Sequence, residues 1–116
     1  VHWYNVRRIL SGDPAPSVQI SVHPISAEGV PRLLPLVDCD DAIIREGVRA
    51  MLAARLDEAE SLALRCREEG WTTYQAADRL MLDRLRAESA RWAEYQDRQK
   101  REAALKAFHE YAYGWY

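Results

Sequence analysis

The spacing of apolar and polar residues changes character near residue 38. Before that point, Val18, Ile20 and Val22 alternate with polar residues, which is the pattern of a half-buried β-strand. The opening run, residues 2–10, is rich in strand-forming residue types, and a turn-forming cluster of Ser, Gly, Asp and Pro separates the two runs. The pattern predicts an N-terminal β-hairpin, followed by a Pro-interrupted extended link up to residue 37.

After residue 38 the apolar residues repeat with the period of an α-helix. A first helix is predicted over about residues 39–69, because the acidic run at 38–41 suits a helix start and Gly70 suits its end. A second helix is predicted over about residues 72–113, where neither Pro nor Gly occurs. At 1.5 Å per residue this second helix would be about 60 Å long. The short turn between the helices predicts that they are antiparallel neighbours.

Matching the two apolar stripes predicts which positions face each other. With the turn centred near residue 71, the numbers of facing residues add up to about 143, so that Leu62 faces Met81. Two charged residues, Arg55 and Glu88, interrupt the stripes, and this register places them opposite each other. An ion pair between Arg55 and Glu88 is therefore predicted.

The first helix can cover the second only as far as about Ala103. Beyond Ala103 the apolar residues change sides, while charges of alternating sign at i,i+4 spacing support the helix. The sequence thus predicts an overhanging C-terminal end with its own apolar face. Either the N-terminal hairpin or a second chain covers this face. The predicted partner-binding residues are those of the overhang and aromatic tail, namely Leu105, Phe108, Tyr111, Tyr113, Trp115 and Tyr116.

The expected fold class is α+β and mostly α. Residues 1–37 form the β-hairpin and link, and residues 38–116 form a long antiparallel helical hairpin with an aromatic tail. The length of 116 residues, with 48% hydrophobic and 29% charged residues, indicates that both parts belong to one cooperative domain.

Charge and cysteine content exclude several classes of protein. The formal net charge of -2 gives no global basic field, and no apolar run approaches the roughly 18 residues of a membrane span.

Cys39 and Cys66 would lie about 40 Å apart on one helix, too far for a disulfide. Together with the lack of a secretory signal, this predicts a cytoplasmic protein. The excess of Arg over Lys is typical of GC-rich genomes, such as those of some bacteria and their phages.

No motif of catalysis or cofactor binding occurs in the sequence. The carboxylates and thiol of residues 38–41 are possible metal ligands, but such runs at helix starts are more often caps. His2, His23 and His109 show no metal-ligand spacing, and no phosphate-binding Gly-rich loop is present. No catalytic residue, metal or cofactor is predicted, and the protein is not expected to be an enzyme.

The leading functional prediction is a non-enzymatic assembly or adaptor protein that binds a protein partner or another copy of itself, as a bacterial or phage component. The alternative is a small nucleic-acid-binding regulator, because basic residues lie near aromatic ones on the first predicted strand and on the second helix. Acidic neighbours neutralise the helical cluster, which favours a solvated, salt-bridged face. The residues of this alternative are Arg7, Arg8, Arg98, Lys100 and Arg101.

Overall fold

The computed structural model describes residues 2–21, 25–69 and 76–114, without the side chains of residues 2, 3 and 69. All regular elements of this part of the chain are helices and it contains no strand, so the predicted α+β class is wrong. The elements are α1 (His2–Leu10), α2 (Ser17–Ser21), a first 3₁₀ helix (Val30–Asp38), α3 (Ala42–Glu69), α4 (Ala76–Ala87), a second 3₁₀ helix (Ser89–Gln96) and α5 (Arg98–Tyr113).

Helix α1 replaces the first strand of the predicted β-hairpin. Its buried side chains include Val6 and Ile9, which are three residues apart as on one helix face. Gly12 has a φ of 103°, and its N–H donates to the carbonyl of Ile9 at 3.0 Å. The N–H of Asp13 donates to the carbonyl of Arg8 at 3.0 Å. These two bonds form a Schellman motif, so the predicted hairpin turn is the C-terminal stop of a helix.

Helix α2 lies where the alternating pattern predicted the second strand. It has five residues and buries Val18 and Ile20. In so short a helix, burial at i and i+2 looks the same as in a strand, so the pattern could not distinguish the two. Val22, the third apolar residue of the pattern, lies outside the described residues.

Helix α3 is the axis of the molecule. Its 28 residues correspond to about 42 Å, and the longest dimension of the molecule is 43 Å. Asp41 caps its start, because its Oδ1 accepts from the N–H groups of Ile43 at 3.0 Å and Ile44 at 3.2 Å. The first predicted helix is therefore observed, with its start at Ala42.

The second predicted helix is broken into three elements. Helix α4 ends at Ala87, and Trp92 has non-helical dihedral angles of φ -129° and ψ 26°. Asp97 then starts a new helix, since its side chain accepts from the N–H of Gln99 at 2.9 Å. The prediction of one straight helix over residues 72–113 is wrong, and residues 72–75 lie outside the described residues.

Because of this break, α5 returns along α3 and packs on it at a register different from the predicted one. The predicted register would place Phe108 beside residue 35, whereas Phe108 packs on Gly47, about 18 Å away along a helix axis. Arg101 Nη2 lies 2.6 Å from Asp57 Oδ2, so the start of α5 is shifted along α3 in the same direction as Phe108. Phe108 and Ala112 are fully buried. The predicted overhanging end is therefore wrong.

The N-terminal segment packs on the other helices, but as α1 and α2 and not as the predicted β-hairpin. Helix α2 packs against α5, and α1 packs against the first 3₁₀ helix, which lies on α3. Helix α4 lies beside α3, with Arg86 Nε 3.3 Å from Glu60 Oε1. The largest fully buried side chains come from most of these elements and include Ile20, Leu33, Leu36, Ile44, Leu52, Leu85, Trp92 and Phe108.

The predicted ion pair between Arg55 and Glu88 is not formed. Arg55 Nη1 donates to the carbonyl of Ile25 at 2.6 Å, and its Nε lies 3.9 Å from Glu58. Glu88 lies 3.3 Å from Arg91 instead. The prediction is wrong because it extended a straight-helix register through the position where the helix breaks.

Candidate functional site

A groove of about 510 Å³ separates the end of α1 from the start of α3. The end of α1 and the following turn form one wall, and the loop between the first 3₁₀ helix and α3 forms the other. The C-terminal part of α5 adds one side chain. We call this site the acidic groove. Its lining residues are Ile9, Leu10, Gly12, Pro14, Asp38, Cys39, Asp40, Asp41, Ile44 and Tyr111.

The apolar wall is shaped by the turn after α1. The positive φ of Gly12 reverses the chain, and Arg8 Nε donates to Asp13 Oδ2 at 3.1 Å across this turn. Pro14 consequently returns to the groove beside the end of α1. Leu10 is the last residue of α1 and is 49% exposed. The groove therefore offers an apolar side chain that the chain itself leaves half-covered.

The return of α5 joins a third element to the groove. The hydroxyl of Tyr111 donates to Asp41 Oδ2 at 2.7 Å, while the other oxygen of Asp41 caps α3. Both oxygens of this carboxylate are therefore occupied. Asp41 positions Tyr111 and the start of α3 relative to each other, and it is part of the groove's framework.

The remaining two carboxylates of the groove differ in their surroundings. Asp38 lies 3.3 Å from Arg49 Nη2 and 3.4 Å from Arg91 Nη1. Asp40 is exposed and makes no side-chain hydrogen bond or ion pair within the described residues. Asp40 therefore presents a negative charge that the described part of the chain leaves unpaired.

Cys39 lies in the acidic wall but is unsuited to nucleophilic chemistry. Its side chain is buried, and Sγ lies 3.5 Å from the carbonyl of Asp41, to which it donates. Burial raises the pKa of the Cys39 thiol above its ordinary value. Since the thiolate is the reactive form, Cys39 is protonated and unreactive at neutral pH. No group of His, Cys, Asp and Glu side chains in the described part of the chain is arranged to hold a metal ion.

A polar network behind the acidic wall holds it in place. The hydroxyl of Tyr95 donates to Glu46 Oε2, and Glu46 Oε1 accepts from Arg45 Nε at 3.2 Å. Arg45 Nη1 also donates to the carbonyl of Cys39 at 3.1 Å. The hydrogen bond from Tyr95 lowers the pKa of the Glu46 carboxyl, and burial raises the pKa of Tyr95. Glu46 is consequently a carboxylate at neutral pH and keeps both bonds.

Two of the predicted partner-binding residues lie away from the groove. Phe108 is fully buried on Gly47, so its ring is covered within the chain. Leu105 is half-buried and lines a separate apolar cavity. The apolar residues after Ala103 were predicted to face a partner. In the structure, Phe108 and Leu105 instead contact other parts of the same chain.

The other predicted partner-binding residues belong to the end of the chain. Tyr111 lines the acidic groove. Tyr113 is 49% exposed and contacts His109 edge to face, with 4.6 Å between ring centroids. Trp115 and Tyr116 lie outside the described residues. Of the six predicted residues, the structure brings Tyr111 to the candidate site.

The basic residues of the nucleic-acid alternative are divided between different places. Arg8 pairs with Asp13, and Arg101 pairs with Asp57, so the charges of both are compensated. Arg98 lines a different, open groove of about 530 Å³ that contains carboxylates as well as basic groups.

Arg7 and Lys100 are exposed on α1 and α5. Arg98 and Lys100 share α5, whereas Arg7 and Arg8 lie on α1; an electrostatic footprint for nucleic acid is a contiguous patch or stripe.

The sequence-based interpretation missed Leu10 and Asp40 as site residues. Gly12 after Arg7 and Arg8, with Pro14 two residues later, is the signal of a helix C-terminus, and it would have placed Leu10 at the end of a helix. Asp40 was weighed as a metal ligand and interpreted as part of a helix cap, a role that Asp41 fills with its side chain.

The acidic groove combines apolar surface with negative charge. An extended or helical segment with both apolar and basic side chains complements it. None of the helices in the described ranges is long and apolar enough to cross a membrane. The chain matches no protein-family model, no curated protein and no solved structure.

Proposed function

We propose that this chain is a non-enzymatic protein-binding module, and that its acidic groove receives a short segment with basic and apolar side chains from a partner protein. One observation supports this most strongly: half-exposed Leu10 lines the same groove as three carboxylates. No Lys or Arg is among the described residues that line it. An assembly or adaptor role accommodates such a module, and a bacterial or phage source stays a prediction from composition.

The apolar contribution comes mainly from Leu10. Full burial of a leucine side chain stabilises a complex by about 1.5–3 kcal/mol, and Leu10 is 49% exposed before binding. Covering the exposed half therefore contributes about 1 kcal/mol. This energy favours many apolar segments about equally, so it gives affinity more than selectivity.

Selectivity comes from charge. Asp40 is unpaired within the described residues, so a Lys or Arg of the partner can approach it without displacing another cation. An exposed ion pair contributes about 0.2–1 kcal/mol and is weakened by salt. The negative wall also disfavours acidic segments, which adds to the discrimination.

The proposal is tested by selecting peptides from a random 12-residue display library on the full chain. We expect the selected peptides to be enriched in Lys or Arg together with Leu, Ile or Phe. Asp40→Lys is expected to weaken the best peptide about fivefold, equivalent to about 1 kcal/mol. Leu10→Ser is expected to weaken it by a similar factor. Isothermal titration calorimetry at two salt concentrations measures both effects.

Matched control variants are available on α4. Asp83→Lys makes the same charge change at an exposed position outside the groove, and Leu80→Ser replaces a leucine that is 68% exposed there. Both controls should leave peptide affinity unchanged. Acidic selected peptides, or equal losses in the groove and control variants, would overturn the proposal.

Self-association and nucleic-acid binding are the competing outcomes. Sedimentation of the full chain shows whether a second copy occupies the groove, in which case Asp40→Lys dissociates the oligomer. Tight binding of generic duplex DNA at low salt, lost steeply as salt rises, would support the nucleic-acid alternative instead.

A further inference from the structure

A second cavity, which shares no lining residue with the acidic groove, is bounded by α2, the first 3₁₀ helix, α3 and α5. Its volume is about 300 Å³, at the lower end of the range for small-molecule sites. The lining is almost entirely apolar and includes fully buried Ile20, Leu33 and Leu52. Half-buried Met51 and Leu105 also line the cavity.

Arg55 is the charged residue among the described lining residues. One of its N–H groups donates to the carbonyl of Ile25 at 2.6 Å, and Nη2 lies 3.6 Å from the sulfur of Met81. A guanidinium has five N–H groups, so these contacts fix its position and leave donors unused. Its neighbour Glu58 lies 3.9 Å from Nε and is mostly exposed. The cavity thus has an apolar interior and a positioned cation.

We infer that this cavity binds a small aliphatic carboxylate, with the alkyl chain among Ile20, Leu33 and Leu52 and the carboxylate on Arg55. The chemistry of the lining selects this class of ligand, because an apolar interior excludes polar ligands and Arg55 pairs with an anion. An aliphatic amine would place its charge beside Arg55 and is disfavoured. This inference is independent of the proposed function of the acidic groove.

The test uses sodium hexanoate, heptanoate and octanoate with the full chain, measured by chemical-shift perturbation. Each additional methylene that enters the cavity is expected to increase the affinity about fourfold. Octanoate should bind at least tenfold more tightly than octylamine. The same affinity for all three carboxylates, or equal affinity for octanoate and octylamine, would overturn the inference.

Two variants locate the site. Leu105→Trp places a larger side chain in the lining of the cavity and should weaken octanoate at least tenfold, whereas Ala107→Trp places the same side chain at an exposed position of α5 and should change nothing. Arg55→Gln should lower the affinity for octanoate to the affinity for octanol, while Arg65→Gln, at an exposed position of α3, should not.

Circular dichroism verifies that each variant folds. If Arg55→Gln does not fold, Leu105→Trp and octylamine still decide. Undiminished octanoate binding by folded Leu105→Trp would contradict the assignment.

Discussion

Gly47 has no side chain at the place where the ring of Phe108 lies. A Cβ at position 47 would overlap Cβ and Cγ of Phe108. Gly47 is within α3, where glycine is less favourable than alanine by about 1 kcal/mol. The close approach of α5 to α3 therefore depends on a residue that weakens α3 as an isolated helix.

Gly47→Ala is expected to destabilise the protein, although the same change in a solvent-exposed helix stabilises. Overpacking costs about 1–3 kcal/mol and exceeds the gain in helix propensity, because the overlapping atoms are the base of the Phe108 side chain and cannot rotate away. Urea denaturation of the variant and the wild type measures the difference. In a Phe108→Ala background, which lacks the overlapping Cγ and Cδ2 atoms, the cost should be smaller, and a more stable Gly47→Ala single variant would show that the two helices do not touch here.

At the scale of elements, the hydrogen bond from Tyr95 to Glu46 ties the second 3₁₀ helix to α3. It lowers the pKa of the Glu46 carboxyl below its ordinary value. A carboxyl whose pKa is lower in the folded state stabilises the fold above its unfolded pKa. This stability is lost as the pH falls through the folded pKa. The connection between these elements therefore weakens in acid.

Tyr95→Phe is expected to lose about 1–2 kcal/mol of unfolding free energy at neutral pH, since a hydrogen bond to a partly exposed carboxylate disappears. The difference from the wild type should shrink as the pH falls below the ordinary glutamate pKa of 4.5 and through the lowered pKa of Glu46, because protonated Glu46 holds Tyr95 less tightly. Denaturation at a series of pH values measures it. Tyr4→Phe, at a tyrosine that is 60% exposed, is the control. A difference that is constant with pH would rule out this role for Glu46.

How far the elements could be predicted depended on their length. The 28-residue helix α3 repeats its apolar pattern many times, and its existence, its end and an acidic start within residues 38–41 follow from the sequence. The five residues of α2 are too few to separate a helical from a strand period. The breaks at Trp92 and Asp97 carry no Pro or Gly signal, and they form where a tertiary arrangement buries Trp92 completely.

The candidate site was less predictable than the elements. It is formed by the end of α1, the loop before α3 and the end of α5, which are far apart in the chain. Tyr111 was chosen as a partner-binding residue from its type and position alone. Leu10 was assigned to a strand and Asp40 to a cap, so the sequence provided no reason to expect them in one groove, where the packing of α1 on the first 3₁₀ helix brings them together.

At the scale of the whole molecule, the return of α5 makes the protein 43 Å long instead of the roughly 60 Å of an uninterrupted helix. The C-terminal part of α5 is then part of the core, through fully buried Phe108 and Ala112. Because Tyr111 also holds Asp41, the same element completes the acidic groove. Fold and candidate site therefore depend on one another.

Truncation after Ala103 is expected to destabilise the protein by at least about 3–5 kcal/mol, the cost of removing one buried phenylalanine side chain. Since small domains have about 5–15 kcal/mol in total, the truncated chain should lose its cooperative unfolding transition at moderate temperature. Differential scanning calorimetry of the two chains shows this. A truncated chain with the transition of the full chain would mean that α5 does not pack on α3.

The most direct measurement for the acidic groove is an amide chemical-shift titration of the full chain with the best basic and apolar peptide from the display selection. We expect the largest shifts at residues 9–14, at residues 38–44 and at Tyr111, the three segments that line the groove, and we expect Asp40→Lys to reduce them. Shifts confined to α4 and the C-terminal half of α3, or shifts at residues 9–14 and 38–44 without Tyr111, would contradict this account of the groove.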